Sequence, residues 1–153
     1  MKSYLIGALL LVAGLAQADT GSAHDGMVAK KSAYSVKQTL DRLEAALKKK
    51  GINIVLRLSH DANGKKAGIP LRPTELLIFG NPKLGTHMFT SNQTAGIDLP
   101  LKALAWQDEN GQVWLSYNDP AYIARRHGIA DRPEIVARMS AALDTLSDAA
   151  TRP

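Results

Sequence analysis

Apolar residues recur at helical spacing near the start of the chain. One helical face would carry four apolar side chains: Val36, Leu40, Leu43 and Leu47. Ser35, followed three positions later by Gln38, has the pattern of an N-terminal capping box, and Gly51 is a residue that commonly follows a helix. The pattern predicts an amphipathic helix that ends before Gly51.

Alternating apolar and polar residues predict strands on both sides of this helix. Residues 27–33 can form a first strand, and residues 52–59 alternate with period two. In residues 52–60 the apolar phase comprises Ile52, Ile54, Leu56 and Leu58, and His60 continues it. Residues 74–80, "TELLIFG", are apolar on both faces near their end, as expected of a central strand. Asn110-Gly111 predicts a tight hairpin turn between residues 101–107 and 113–118.

Further helices are predicted where Asn or Asp precedes proline. Asn81-Pro82 and Asp119-Pro120 each combine a preferred N-cap with a residue favoured in the first helical turn. A last helix is expected from Asp131. The fold class is therefore α+β, with an antiparallel sheet of about five strands in the order β-α-β-β-[α]-β-β-α-α. The connection at residues 61–73 is expected to be turn-rich. A single domain would span residues 27–150.

Helices packed mainly on one side would leave the other face of the sheet open. The predicted strand phase assigns to that face Val55, Arg57, Leu77, Phe79 and one of the two tryptophans. An exposed apolar sheet face implies a protein partner or a homodimer that pairs through it.

The first residues have the pattern of an export signal. Lys2 precedes an apolar run that is too short to span a bilayer, and Ala16-Gln17-Ala18 offers small residues for signal peptidase. We expect a cleavable signal peptide at residues 1–18, cut before Asp19, and a flexible N-terminus at 19–26. The protein would then be periplasmic or secreted. No later stretch predicts a transmembrane segment.

The amino-acid composition narrows the range of possible chemical functions and partners. The chain has no cysteine, which removes disulfides, thiol redox chemistry and thiolate zinc sites. Its net charge of +5 comes from short, scattered basic groups without interleaved aromatic residues, so nucleic acid is not expected as a partner. No sequence motif indicates a cofactor.

Residues 79–82, "FGNP", allow two interpretations. Each residue is explained structurally as a strand end, an N-cap and a helix start. Alternatively, a helix that begins directly after a strand exposes amide N–H groups that can bind an anion. We expect these amides to open toward His60.

His60 is the histidine that attracts most attention. The strand phase directs it to the helix-covered face, next to Asp61. A buried imidazole needs a hydrogen-bonding partner, so it is either a core-edge histidine or a site residue. His87 lies one turn into the helix after Asn81, and His127 ends the next short helix.

Catalysis and metal binding are the alternatives. No nucleophile elbow or phosphate-binding loop is present, and Ser59-His60-Asp61 cannot form a triad because adjacent strand residues point to opposite faces. No catalytic residue is assigned. The alternative functions are a hydrolase-like enzyme or a metal-binding protein that uses His60 and His87, although metal-ligand spacing is absent.

Three segments in this order carry a family resemblance. "TELLIFGNPKLGT", "AGIDLPLKALAWQDENGQVWLSY" and "YNDPAYIARRHGI" resemble the domain-of-unknown-function 302 family, as does the helix "YSVKQTLDRLEAALKKKGI". The resemblance covers about residues 27–129. It implies a small TBP-like α+β fold and carries no assigned activity.

The sequence thus predicts an exported α+β domain that binds a small molecule or a protein partner without catalysis. The ligand-binding residues would lie around the helix start after "FGNP" and across from it: His60, Asp61, Phe79, Asn81, Thr86 and His87.

Overall fold

The computed structural model describes residues 26–153. The strands are β1 (Met27–Ser32), β2 (Asn53–Ser59), β3 (Thr74–Gly80), β4 (Leu101–Gln107) and β5 (Val113–Asn118). The helices are α1 (Val36–Lys49), α2 (His60–Lys66), α3 (Pro82–Ser91), α4 (Pro120–Arg126) and α5 (Pro133–Thr151), and a 3₁₀ helix spans Gln93–Ile97. The predicted signal peptide and residues 19–25 of the predicted N-terminal segment lie outside the described residues.

The five strands form one antiparallel sheet in the order β1-β5-β4-β3-β2. This confirms the predicted α+β class. The local signals act as expected: Ser35 and Gln38 form the capping box of α1, and Gly111 adopts a positive φ of 81° in the turn between β4 and β5.

Two hydrophobic clusters hold the helices to the sheet. The first joins α1, the sheet and the second half of α5, with Leu40, Leu77 and Phe79 almost completely buried. The second joins α3, the 3₁₀ helix, α4 and the first half of α5 around Met88 and Ile123. Helix α5 therefore belongs to both clusters.

A β-bulge in β2 overturns the predicted phase of that strand. Ile54 pairs with Phe79, but Leu56 pairs with Ile78, so the register shifts between Ile54 and Leu56. A bulge adds one residue and exchanges the faces of the residues beyond it. Leu56 is consequently 48% exposed, and Arg57 lies on the face that the helices cover.

The composition of the open sheet face is corrected accordingly. Leu77 and Phe79 are buried beneath the helices, and Val55 lies at the edge of the sheet with 60% exposure. The large apolar residues that the register places on the opposite face are half-buried or exposed: Leu56, Leu58, Leu76, Ile78, Leu104, Trp106 and Trp114. Both tryptophans, rather than one, lie there.

Helix α2 replaces the predicted turn and the expected continuation of β2. Ser59 is its N-cap, with its hydroxyl accepting from the amide of Ala62. His60 is therefore the first residue of a helix, and the prediction that it continues the buried phase of a strand is wrong. The signal was present in the sequence, because Ser59 followed by Asp61 suits a helix N-terminus.

The last helix also begins differently from the prediction. It starts at Pro133, and Arg132 provides no side-chain cap. The carboxylate of Asp131 instead accepts hydrogen bonds from Ser91 and Arg132. The hydrogen bond from Ser91 is the main cause that lowers the pKa of Asp131. Asp131 thus connects α3 to the segment that leads into α5.

Arg57 links the bulged edge strand to α1. Its guanidinium lies 2.6 Å from an Asp41 carboxylate oxygen and 2.7 Å from one of Glu75, and 3.6 Å from Glu44. The pKa of Asp41 is lowered, first by the hydrogen bond from Lys37 and then by that from Arg57. The bulge makes this network, since it directs Arg57 toward α1.

We predict that Arg57→Met lowers the free energy of unfolding by about 1–2 kcal/mol at neutral pH, because three carboxylates lose a shared cation. Asp41 has a folded pKa below its ordinary value of 3.8, so its stabilisation is present above that pH and is lost as the pH falls through the folded pKa. The variant should therefore lose less stability between neutral pH and about pH 3 than the parent. Urea unfolding at both pH values measures this.

Arg125→Met is the matched control, since Arg125 is an exposed arginine on α4. It should leave the free energy of unfolding nearly unchanged. Equal losses in the two variants would contradict a specific role for Arg57.

Candidate functional site

A cavity of about 290 Å³ lies where the two hydrophobic clusters meet. It is bounded by α3, by one side of α5 and by the ends of β2, β3 and β4 that adjoin Gly80. Its walls are almost entirely carbon. The large apolar lining residues are Ile52, Val55, Phe79, Leu84, Phe89, Leu99, Leu101, Met139, Leu143 and Leu146.

Gly80 lets the end of β3 approach the start of β4. A Cβ atom at this position would lie 3.3 Å from the Cβ of Pro100, which is tighter than ordinary van der Waals contact. Beyond Gly80 the chain turns at Asn81-Pro82 into α3. The "FGNP" segment thus forms one wall of the cavity by joining a buried strand to the helix above it.

The amides at the start of α3 are already paired. The Asn81 side-chain oxygen accepts from the amide of Lys83 at 3.0 Å, and the Asn81 carbonyl accepts from the amides of Leu84 and Gly85. Pro82 has no amide hydrogen. The prediction that free amides open toward His60 is wrong, and the structural interpretation of "FGNP" accounts for its polar groups.

Three polar side chains stand around the otherwise apolar cavity: Asn53, Asn81 and Thr86. Asn53 and Thr86 are exposed and so mark its rim, whereas Asn81 is half-buried. The Thr86 hydroxyl donates to the carbonyl of Pro82 at 2.7 Å. The interior can therefore exclude water from an apolar group but offers little hydrogen bonding to it.

The structure brings together three of the six predicted binding residues. Phe79, Asn81 and Thr86 line the cavity. His87 is exposed on α3 and is not part of the lining.

His60 and Asp61 lie at the other end of the sheet. Asn53 pairs with Gly80 whereas Ser59 pairs with Glu75, so the residues that follow β2 adjoin the start of β3. Six strand residues separate these two ends by about 20 Å. The expectation that His60 and Asp61 face Asn81 is wrong. Because β2 and β3 are antiparallel, the segment that follows β2 and the segment that follows β3 lie at opposite ends of the strands.

Asp61 has a structural role in its actual position. It accepts from the Ser59 hydroxyl at 2.6 Å, and this hydrogen bond is the main cause that lowers its pKa. A carboxylate in the first turn of α2 also complements the helix dipole.

A polar cluster beside the cavity was not among the predicted site residues. His127 Nε2 lies 2.7 Å from Asp98 Oδ2, and His127 Nδ1 lies 2.8 Å from the Thr94 hydroxyl. Arg126 contacts the second oxygen of Asp98 at 3.1 Å, and the Asn92 side chain donates to the His127 carbonyl. The cluster fixes the end of α4 to the 3₁₀ helix and to the segment before β4.

This hydroxyl–imidazole–carboxylate array is arranged as a clamp. The His127 side chain is 7% exposed and that of Asp98 is 11% exposed, so both are mostly buried, whereas Thr94 is exposed. The Thr94 hydroxyl also lies 2.8 Å from Asn92 Oδ1, the N-cap oxygen of the 3₁₀ helix. Since Asp98 directly precedes the cavity residue Leu99, the clamp holds one cavity wall in place.

We predict that His127→Ala and Asp98→Ala each lower the free energy of unfolding by about 1–3 kcal/mol, because each leaves a mostly buried polar partner unpaired. The double variant should lose less than the sum, with a coupling energy of about 0.5–3 kcal/mol. Urea unfolding of the four proteins measures the cycle. His87→Ala serves as the control at an exposed histidine, and strictly additive losses would contradict the clamp.

The described part of the chain contains no assembled metal-binding site. Across residues 26–153, no three His, Asp or Glu side chains gather as metal ligands. His60, one of the pair considered from the sequence, follows β2 and lies near the start of β3, whereas His87 lies beyond the end of β3. Nor does any helix of this part combine the length and apolar character needed to cross a membrane.

Comparisons with known proteins give a family and a fold. A family model described as "Domain of unknown function DUF302" matches residues 28–146. The crystal structure of a DUF302 protein from Bacillus stearothermophilus superposes with a TM-score of 0.75 at 21% identity, covering 83% of this chain and 99% of that one. At this identity the likeness concerns the fold alone.

Curated relatives share part of their length with this chain. "Fluoride-specific ion channel FluC 1" of Brucella suis is 48% identical over 104 residues, which make up 68% of this chain and 41% of that protein. "Fluoride-specific ion channel FluC 2" of Brucella melitensis is also 48% identical over 104 residues, or 38% of its length. The chain thus matches about two fifths of these relatives.

Proposed function

This chain belongs to the DUF302 family, and we propose that it is a binding domain that holds a small apolar ligand, without catalysis, in the cavity beneath α3. The observation that carries the proposal is the concave, almost entirely apolar lining at the junction of the two hydrophobic clusters. Apolar pockets with a few polar groups at the rim are the usual form of small-molecule sites.

The size of the cavity limits the ligand. An engineered apolar cavity of about 150 Å³ in another protein accepts benzene. At about 290 Å³, this cavity suits a two-ring aromatic compound or a medium-length alkyl chain. A polar end group would meet the side chains at the rim, Asn53 and Thr86.

The chemistry of the lining supports binding rather than turnover. Thr86 supplies the hydroxyl group of the lining, and it is occupied with the carbonyl of Pro82. The His127–Asp98 pair lies outside the lining and is mostly buried. A hydrolase-like mechanism needs a nucleophile and a base within reach of the same ligand.

The variant Gly85→Leu tests the proposal. Gly85 lines the cavity, and a Cβ there would meet Phe89 at an ordinary 3.9 Å, so a leucine side chain can occupy ligand space. Replacing glycine within a helix should also stabilise α3, by up to about 1 kcal/mol. We predict weaker binding without a loss of stability. Isothermal titration with indole and with straight-chain alcohols of increasing length measures it.

Affinity for the parent protein should rise about fourfold per added methylene, until the cavity is full. Gly96→Leu is the matched control: a Cβ there would lie 3.9 Å from another carbon of the Phe89 ring, but Gly96 is not part of the lining. It should bind the alcohols like the parent. No binding by the parent protein, or unchanged binding by Gly85→Leu, would refute the proposed site.

The name of the curated relatives raises fluoride as a ligand. The cavity does not favour it, because a small anion needs hydrogen-bond donors and the amides at the start of α3 are paired within the protein. We therefore assign the cavity to an apolar ligand.

We further propose that the protein works in the periplasm or outside the cell. The support is the N-terminal sequence pattern, with Lys2, an apolar run and the small residues before Asp19. N-terminal sequencing of the protein recovered from the exported fraction should begin at Asp19. Protein that retains Met1, or that stays in the cytoplasm, would contradict export.

A further inference from the structure

The sheet face opposite the helices has an apolar middle. The register arranges its side chains in rows that cross the strands. The middle row is uncharged and consists of Ala29, Ser116, Leu104, Leu76 and Leu58. One flanking row contains Lys31, Trp114, Trp106 and Thr74, and the other contains Met27, Asn118, Lys102, Ile78 and Leu56. We call this surface the open face.

Polar groups on the open face are paired within the protein. The indole N–H of Trp106 donates to the Ser116 hydroxyl at 2.9 Å, and that of Trp114 donates to Asp108 at 2.8 Å. The two indole rings stack with their centroids 6.3 Å apart. The Lys31 ammonium lies over the Trp114 ring, 5.5 Å from its centroid. A covering surface would therefore meet the remaining exposed carbon atoms of the indoles and would not have to supply acceptors for their N–H groups.

We propose that a second copy of this chain covers the open face, so that two sheets pack face to face in a homodimer. The two-fold axis would cross the central strand of the sheet, β4. Such an interface is isologous, with the same surface on both copies. The proposal concerns a different surface from the cavity and does not depend on the ligand.

The area suits a dimer of moderate strength. Five strands about 4.8 Å apart, each about 20 Å long, give a footprint of about 500 Å² per copy, or about 1,000 Å² in total. A specific interface needs about 1,000 Å². Because this area is at the low end, a dissociation constant on the order of micromolar is expected.

Charge selects the orientation of the two-fold axis. An axis parallel to the strands would place Lys102 against Lys102 of the second copy, which is unfavourable. An axis along the middle row exchanges the two flanking rows. It places the stem of Lys102 against Trp106 of the second copy and Leu104 against its own counterpart. The strand directions of two packed sheets differ by about 30°. This rotation displaces the contacts at the centre of the interface least.

Analytical ultracentrifugation of the purified full-length protein over a wide concentration series tests the dimer. The parent protein should change from monomer to dimer, and Leu104→Glu should weaken the association about tenfold or more, because a carboxylate would face its counterpart on the axis. Leu56→Glu, at a residue that is 48% exposed, repeats the test with less risk to folding. Ile97→Glu is the matched control, since Ile97 is 73% exposed on the 3₁₀ helix.

Tryptophan fluorescence gives a second measurement, since both tryptophans of the chain lie on the open face. Dilution should shift the emission of the parent to the red over the concentration range in which its mass halves. A parent that stays monomeric with constant emission would overturn the proposal and leave the face to a different protein. A dimer that both face variants keep, as tightly as Ile97→Glu does, would also overturn it.

Discussion

One helix joins the two halves of this domain. The first half of α5 places Val136 and Met139 among the residues of α3, α4 and the 3₁₀ helix, and its second half places Leu143 and Leu146 against α1 and the sheet. Both sets lie on one apolar stripe, as helical spacing requires. The two clusters are therefore held in a fixed relation by a single rigid element, and the cavity occupies the space that they leave between them.

Elements marked by local signals were predictable from the sequence. The capping box at Ser35 and the turn at Gly111 each depend on a few adjacent residues, so the local sequence is enough to predict their geometry. The β-bulge after Ile54 is different. Nothing in the alternation of residues 52–58 marks an extra residue, because the bulge is decided by pairing with β3 and by the contacts of Arg57 with α1.

The candidate site was predictable on one side only. Phe79, Asn81 and Thr86 were found because they surround a recognisable strand-to-helix junction. The opposite wall comes from α5 and from the start of β4, whose neighbourhood depends on the tertiary fold. The same limit hid the pair of His127 and Asp98, which are 29 residues apart and share no motif. The histidines were considered because they lie near the ends of helices and strands. The direction of the strands, however, decides which of these ends lie close together.

The sheet separates the cavity from the open face, and this arrangement lets each surface act independently. Along β3, Phe79 faces the cavity and its neighbour Ile78 faces away from it, as strand geometry requires. A ligand in the cavity and a second copy on the open face would therefore contact opposite sides of the same strand. Strand β3 is paired along its length with β2 and β4, so it cannot easily move to admit a ligand. The wall opposite the sheet is α3, which is fixed mainly by the burial of Met88, by contacts of Leu84 and Phe89, and by the hydrogen bond of Ser91 to Asp131. Entry of a ligand through displacement of α3 would leave the sheet in place, and binding in the cavity then needs no change at the open face.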